Sequence, residues 1–130
     1  MSKVRYVLDS SVFISIVKGL MGTASSLSLP LDGKMYISVI TRIEALAYPN
    51  MKTEEETKIR GLLRYMKVIP LNRKVEQNAI FIRAQTKKKL PDCIVAAAAL
   101  SINGILLSGD MDFRNLNIPG LTVRIVTPKT

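Results

Sequence analysis

Asp9, Glu44, Asp92, Asp110 and Asp112 are five of the ten acidic residues in the chain, and each stands near the end of an expected strand or the start of an expected helix. Carboxylates drawn together repel one another unless a proton or a cation bridges them. Hard oxygen donors without imidazole or thiolate beside them select Mg²⁺ or Mn²⁺ over zinc or copper. The chain has no histidine and one cysteine, Cys93. Cys/His zinc sites, Ser-His-Asp hydrolysis and histidine-based cleavage through a ribose 2′-hydroxyl are thereby excluded. A divalent ion held by such a cluster lowers the pKa of its water and orients a phosphate. If this chain cuts a phosphodiester, metal-activated water is the route left to it.

Each acid also has an ordinary structural use. Asp9 is placed to cap a helix. Thr41 and Glu44 have the spacing of a capping box. Asp92 follows Pro91 at a helix start, where a carboxylate complements the dipole. Asp110 and Asp112 lie in a Gly-Asp-Met-Asp stretch that a turn would use. Residue by residue, both uses stay open. The run Glu54–Glu56, by contrast, reads as a plain helix N-terminus.

The elements that must position these acids alternate. Val4–Leu8 is a short apolar strand, followed by a helix over Val12–Val17. Residues 22–34, rich in Gly, Ser and Leu with an Asp32-Gly33 turn signal, read as loop. Met35–Val39 is a second strand, Thr41–Ala47 a helix, and Thr53–Lys67 a helix with Thr53 and Glu56 spaced as a capping box. Val68–Leu71 is a strand. Asn72–Lys88 is an amphipathic helix, and Asp92–Ile102 a helix stopped by Asn103-Gly104. Ile105–Ser108 and Thr122–Val126 close the series as strands. The alternation predicts a three-layer α/β/α sandwich around a mostly parallel sheet, in one domain spanning residues 1–130. In such sheets ligands sit beyond the carboxyl ends of the strands, which is where the acids fall.

Charge supplies a counterpart. The net charge is +9, and residues 58–91 carry ten basic side chains against the one acid Glu76, so the whole excess lies there. A localised basic face suits a polyanion, because phosphate neutralisation releases counterions. The same run also serves as a solvated helix face. Lys3, Arg5 and the apolar residues after them mimic a signal peptide, but Asp9 interrupts the apolar stretch. Ile94–Ile102 is far shorter than the roughly 20 residues that span a bilayer. The expectation is a soluble, unprocessed, cytoplasmic protein with no membrane association.

Four stretches resemble the PIN-domain nucleases, and among them the VapC toxins of type II toxin–antitoxin pairs. They are Val7-Leu-Asp-Ser-Ser-Val12, Ile37-Ser-Val-Ile-Thr-Arg-Ile-Glu44, Leu90-Pro-Asp-Cys-Ile-Val-Ala-Ala-Ala-Ala-Leu100 and Leu107-Ser-Gly-Asp-Met-Asp-Phe113, in the family's order. The resemblance implies a PIN-like fold and an endoribonuclease that leaves 5′-phosphate and 3′-hydroxyl ends. It implies Asp9, Glu44, Asp92 and Asp110 as the catalytic acids, with Asp9, Asp92, Asp110 and Asp112 toward Mg²⁺ or Mn²⁺. Ser11 and Ser108 match the hydroxyl positions behind the acids. Gly109 departs from the family, which often carries Asn there. A VapB-like antitoxin and a second copy of the chain are the implied partners, beside the RNA substrate.

Lys87, Lys88 and Lys89 lie just before Asp92 and are read as RNA contacts, against a solvated face or an antitoxin contact. Other readings remain: a PIN-type nuclease of RNA processing outside any toxin pair, a non-catalytic RNA-binding module, and a receiver-like phosphoryl-transfer domain, for whose late-strand lysine Lys129 is a poor candidate. A Ser-Lys hydrolase has no visible motif. Three Phe, four Tyr and no Trp are a thin supply for base stacking.

Overall fold

Five short strands form one sheet in the order β3-β2-β1-β4-β5, and every neighbouring pair is parallel. The structure is a computed structural model, and it describes residues 3–20, 22, 29–30 and 32–126. The strands are β1 (Val4–Leu8), β2 (Gly33–Ser38), β3 (Lys67–Ile69), β4 (Ile105–Ser108) and β5 (Thr122–Ile125). The helices are α1 (Ser10–Leu20), α2 (Val39–Leu46), α3 (Thr53–Leu63), α4 (Arg73–Gln85) and α5 (Leu90–Ser101), and a 3-10 helix covers Met111–Asn115. This is the α/β/α sandwich expected from the sequence.

Side-chain alternation divides the core between the two faces of the sheet. Tyr6, Leu8, Ile37 and Leu107 point to the layer of α1, α2 and α3, where they meet Phe13, Val17, Ala45 and Ile59. Val7 and Leu106 point the other way, into Val75, Ala79 and Ile82 of α4 and the alanines of α5. A strand buried on both faces must be apolar throughout, which is why Val7–Leu8 and Leu106–Leu107 are continuous apolar pairs. Among the described residues no helix is long and apolar enough to cross a membrane.

The chain moves outward from β1 to β2 to β3, then crosses back to β4 on the other side of β1. The order therefore reverses between β1 and β4. The connections that leave their carboxyl ends run to opposite sides at that switch point and leave a crevice. Asp9 directly follows β1, and Asp110 follows β4.

Several boundaries differ from the sequence reading. β2 begins at Gly33, inside the expected loop, because Gly33 pairs with Val4 and only a residue without a Cβ fits against the Val4 carbonyl and the Tyr6 ring. α2 begins at Val39 with Ser38 as its cap, accepting from Ile40 N–H at 3.1 Å, so Thr41 lies buried within the helix and caps nothing. The Thr53 capping box does not form either. Lys52 precedes the helix without a side-chain cap, and the Glu56 carboxylate turns to Arg60 at 3.1 Å. α3 ends at Leu63, where a turn over Arg64–Met66 leads into β3, and α4 ends at Gln85 rather than Lys88. The expected stop after α5 is present: Asn103 takes φ 53°, Gly104 N–H reaches Ala99 O at 2.9 Å and Asn103 N–H reaches Leu100 O at 3.2 Å. Lys129 lies outside the described residues.

Candidate active site

Asp9 is built into the end of β1 before it does anything else. Its N–H donates to Leu107 O at 3.0 Å, which extends the β1–β4 pairing, and its carbonyl accepts from Phe13 N–H at 3.0 Å to start α1. The residue is buried, at 5% exposure. One oxygen accepts from Val12 N–H at 2.9 Å and from the Ser11 hydroxyl at 2.8 Å, and the other accepts from the Ser108 hydroxyl. Asp9 is thus a helix cap and a cavity wall at once.

Ser108 ties the two central strands together at the crevice. While donating to Asp9, its oxygen accepts from Asp110 N–H at 3.0 Å. Asp110 in turn caps the 3-10 helix by accepting from Asp112 N–H at 2.9 Å, and its other oxygen meets the Lys88 ammonium at 3.0 Å. The Asp112 N–H and then the Lys88 ammonium hold the Asp110 carboxyl below the ordinary range. Asp112 contributes its backbone to this arrangement. Its own side chain is exposed and does not line the cavity.

Asp92 sits in the first turn of α5, behind Pro91. Burial raises its pKa above the usual carboxylate value, Lys88 opposes the shift, and Asp110, Asp9 and Glu44 add to it. The charges of all four acids are therefore felt at one point. Glu44 comes from α2 and is aimed by Ser10, whose hydroxyl donates to it at 2.8 Å. Ser10 also lies 3.4 Å from the Thr41 hydroxyl. The sequence reading took both serines as cap-type residues and favoured Ser11 as the partner of Asp9; the adjacent serines serve different carboxylates because successive helical positions point about 100° apart.

Asp9, Glu44, Asp92 and Asp110, with Ser10 and Ser11, line a cavity of about 220 Å³ whose apolar wall is Val95 and Phe113. Lys88 stands over the Phe113 ring, 4.3 Å from its centroid. The three consecutive lysines part company here. Lys87 and Lys89 are exposed, while the Lys88 side chain is 13% exposed and turned inward. Its carbonyl accepts from Arg83 at 2.6 Å, and its N–H donates to Thr86 at 3.3 Å. At Gly109, the position without the family's Asn, a Cβ would lie 3.5 Å from Ser11 Oγ in ordinary contact, so the absence of a side chain there is not forced by packing.

Among the described residues, no three acidic side chains stand as a ready ligand set for a metal. Each is held by its own partner: Asp9 by Ser11 and Ser108, Glu44 by Ser10, Asp110 by Lys88. The donor chemistry nevertheless fits a hard divalent cation, with carboxylates and hydroxyls only. The penalty on a charged Asp92 is one that such a cation would remove.

The PIN domain family profile matches residues 6–119, which include every acid of the cavity. The chain belongs to the PIN domain family. The PIN fold is also shared with solved structures. VapBC2 from Rickettsia felis bound to a DNA fragment from its promoter superposes with a TM-score of 0.76 at 15% identity, over 95% of this chain and 100% of that one. DNA-bound VapBC from Salmonella typhimurium gives 0.70 at 16%, over 94% and 98%. VapBC-1 from nontypeable Haemophilus influenzae gives 0.70 at 20%, again over 94% and 98%. No curated protein sequence matches the chain. At these identities the likeness is one of PIN fold, and the residues of the cavity carry the functional reading.

Proposed function

We propose that this chain is a metal-dependent endoribonuclease and the toxin half of a VapBC-like pair, with residues 1–130 forming one PIN-like nuclease domain. One observation carries the reading: four carboxylates from four separate elements line one cavity at the switch point of a parallel sheet. Asp9, Asp92 and Asp110 would hold Mg²⁺ or Mn²⁺, and a bound ion of that kind supplies an activated water and neutralises developing charge on a phosphate. Glu44, aimed by Ser10, is placed to orient that water. Ser11 and Ser108 keep the Asp9 carboxylate fixed. Asp112 is left to steady Asp110 through its N–H. Lys87 and Lys89 lie on the exposed rim, where they serve as contacts to the RNA backbone.

Water attack in line with the departing 3′-oxygen leaves a 5′-phosphate and a 3′-hydroxyl. The partners in this reading are RNA, a VapB-like antitoxin and a second copy of the chain, in the cytoplasm. The structural relatives named above are VapB–VapC complexes. The exposed apolar side chains Leu71, Ile80, Phe81 and Leu90 offer surface for a partner chain to cover.

The test is incubation of the purified chain with total RNA in Mg²⁺, followed by sequencing of the new 5′ ends. Asp9→Asn and Asp92→Asn, checked for fold by circular dichroism, should lose cleavage by about 100-fold or more. EDTA should do the same, and the ends should carry 5′-phosphate. Intact RNA with the wild-type chain in Mg²⁺ and Mn²⁺, or normal cleavage by either variant, removes the reading.

A further inference from the structure

The acidic cavity repels the polyanion that a ribonuclease must hold, and Lys88, the cation beside its Asp110 wall, is committed to that carboxylate. Affinity for a strand must come from outside. The basic segment 58–91 does not form one face for this purpose: Lys87–Lys89 stand before α5, while Arg60 and Arg64 lie at the end of α3.

On α2, Glu44 and Thr41 face α1, whereas Arg42 and Leu46 lie further round the helix and face α3. There Arg42, Arg60 and Arg64 surround an open pocket of about 360 Å³ floored by Leu46, Leu63 and Val68. Arg60 has only an exposed pair with Glu56, and among the described residues neither Arg42 nor Arg64 makes a salt bridge. Exposed pairs of that kind contribute little, so Arg60 is readily recruited elsewhere. Tyr65, next to Arg64 in the turn before β3, is 85% exposed.

Two guanidiniums without a salt bridge among the described residues, a third held only in an exposed pair, an apolar floor and an open tyrosine ring are the parts that hold a single strand. The planar forks take phosphate oxygens in pairs, and the flat faces take bases. We propose that this pocket docks a single-stranded stretch of RNA across α2 from the cavity, gripping its phosphates with Arg42, Arg60 and Arg64 and stacking a base on Tyr65. The proposal rests on the ribonuclease reading above and names where its substrate is held. An acidic peptide would also meet the charge requirement, but it gives an exposed tyrosine nothing to stack on.

Binding of a fluorescein-labelled single-stranded RNA is measured in EDTA, which suppresses cleavage, at several salt concentrations. Arg60→Ala/Arg64→Ala should weaken binding about ten-fold and lower the slope of log affinity against log salt by about 1.4, at roughly 0.7 per lost phosphate contact. Lys3→Ala/Arg124→Ala, which removes the same charge before β1 and on the opposite edge strand, should change affinity far less. Equal losses from both pairs would mean bulk charge alone and overturn the pocket, as would no loss from the first. On the unmodified chain, 4-thiouridine RNA should photo-crosslink to the peptide containing Arg64 and Tyr65; crosslinks confined to other surfaces overturn the proposal. Loss of an acidic peptide's binding with RNA affinity unchanged would also overturn it, in favour of a protein partner. Cleavage by the wild-type chain is scored separately. RNA docked at this pocket but never cut in Mg²⁺ removes the nuclease reading alone, while normal cutting with intact binding by the double variant removes the pocket alone.

Discussion

Ser108, at the end of β4, donates its hydroxyl to the buried Asp9 carboxylate at the end of β1, and the same oxygen accepts from Asp110 N–H. One hydroxyl thus links two cavity acids from different strands. Removing it strands a buried carboxylate oxygen, which costs about 1–3 kcal/mol. Ser108→Ala is therefore expected to lose that much stability in urea unfolding. Its metal affinity, followed by titration calorimetry with Mn²⁺, should fall about 10- to 100-fold, as when a residue behind a ligand is lost. A variant as stable as wild type would show that the bond contributes nothing.

Asp92 predicts a trade between stability and activity. Burial raises its pKa in the folded state above the unfolded value of about 3.9, so the folded chain holds the proton more tightly. Stability is then lost as pH rises from the unfolded value through the folded one, and the metal-free protein carries that penalty at neutral pH. Asp92→Asn should make the metal-free chain more stable at pH 7, with the gain vanishing below about pH 3.9. Mn²⁺ should stabilise the wild type and leave the variant's melting temperature almost unmoved. A destabilised variant at pH 7 would contradict the burial argument.

Asp110 has the opposite sign. Its depressed carboxyl contributes stability above its unfolded pKa, lost as pH falls through the lower folded value. Lys88→Met should remove part of that acid-limb dependence. The rest remains, because the Asp112 N–H is the larger cause of the shift. The pH profile of unfolding between about 5 and 2 measures it, and an acid limb identical to wild type would show that Lys88 does not act on Asp110.

Two helix starts look alike in sequence and differ in structure. Asn72 accepts from Val75 N–H at 2.9 Å and caps α4, whereas Thr53 caps nothing. Asn72→Ala should cost about 1 kcal/mol in unfolding free energy and Thr53→Ala within about 0.5 kcal/mol. Equal costs would show that the cap bond carries no weight.

The contrast between Asn72 and Thr53 marks what a sequence reveals. The sheet was legible because the inner parts of β1 and β4 are buried on both faces, so that Tyr6–Leu8 and Leu106–Leu107 are continuous apolar runs. Asp9, Asp92 and Asp110 were legible because each stands beside an element end, which a linear pattern displays, whereas Glu44 lies inside α2 and was singled out by the resemblance to the PIN-domain nucleases. Capping was not, since Thr53 and Ser38 have equally suitable side chains and tertiary packing decides where the helix begins. Nor do three consecutive lysines say which one turns inward; that is decided by Arg83 and Thr86, which pin the backbone of Lys88. The arginine pocket draws on Arg42 from α2 and Arg60 from α3, whose meeting depends on how two helices pack.

The switch point also sets a clock on synthesis. Asp9 is synthesised 99 residues before its Ser108 partner, and Asp110 follows that serine. At about 5–20 residues per second, that interval lasts roughly 5–20 s. Throughout it the nascent chain holds half of a crevice and no complete set of acids. Under the proposed activity, a growing chain cannot assemble its set of acids until β4 docks beside β1, so the order of the strands delays cleavage until that strand has been made.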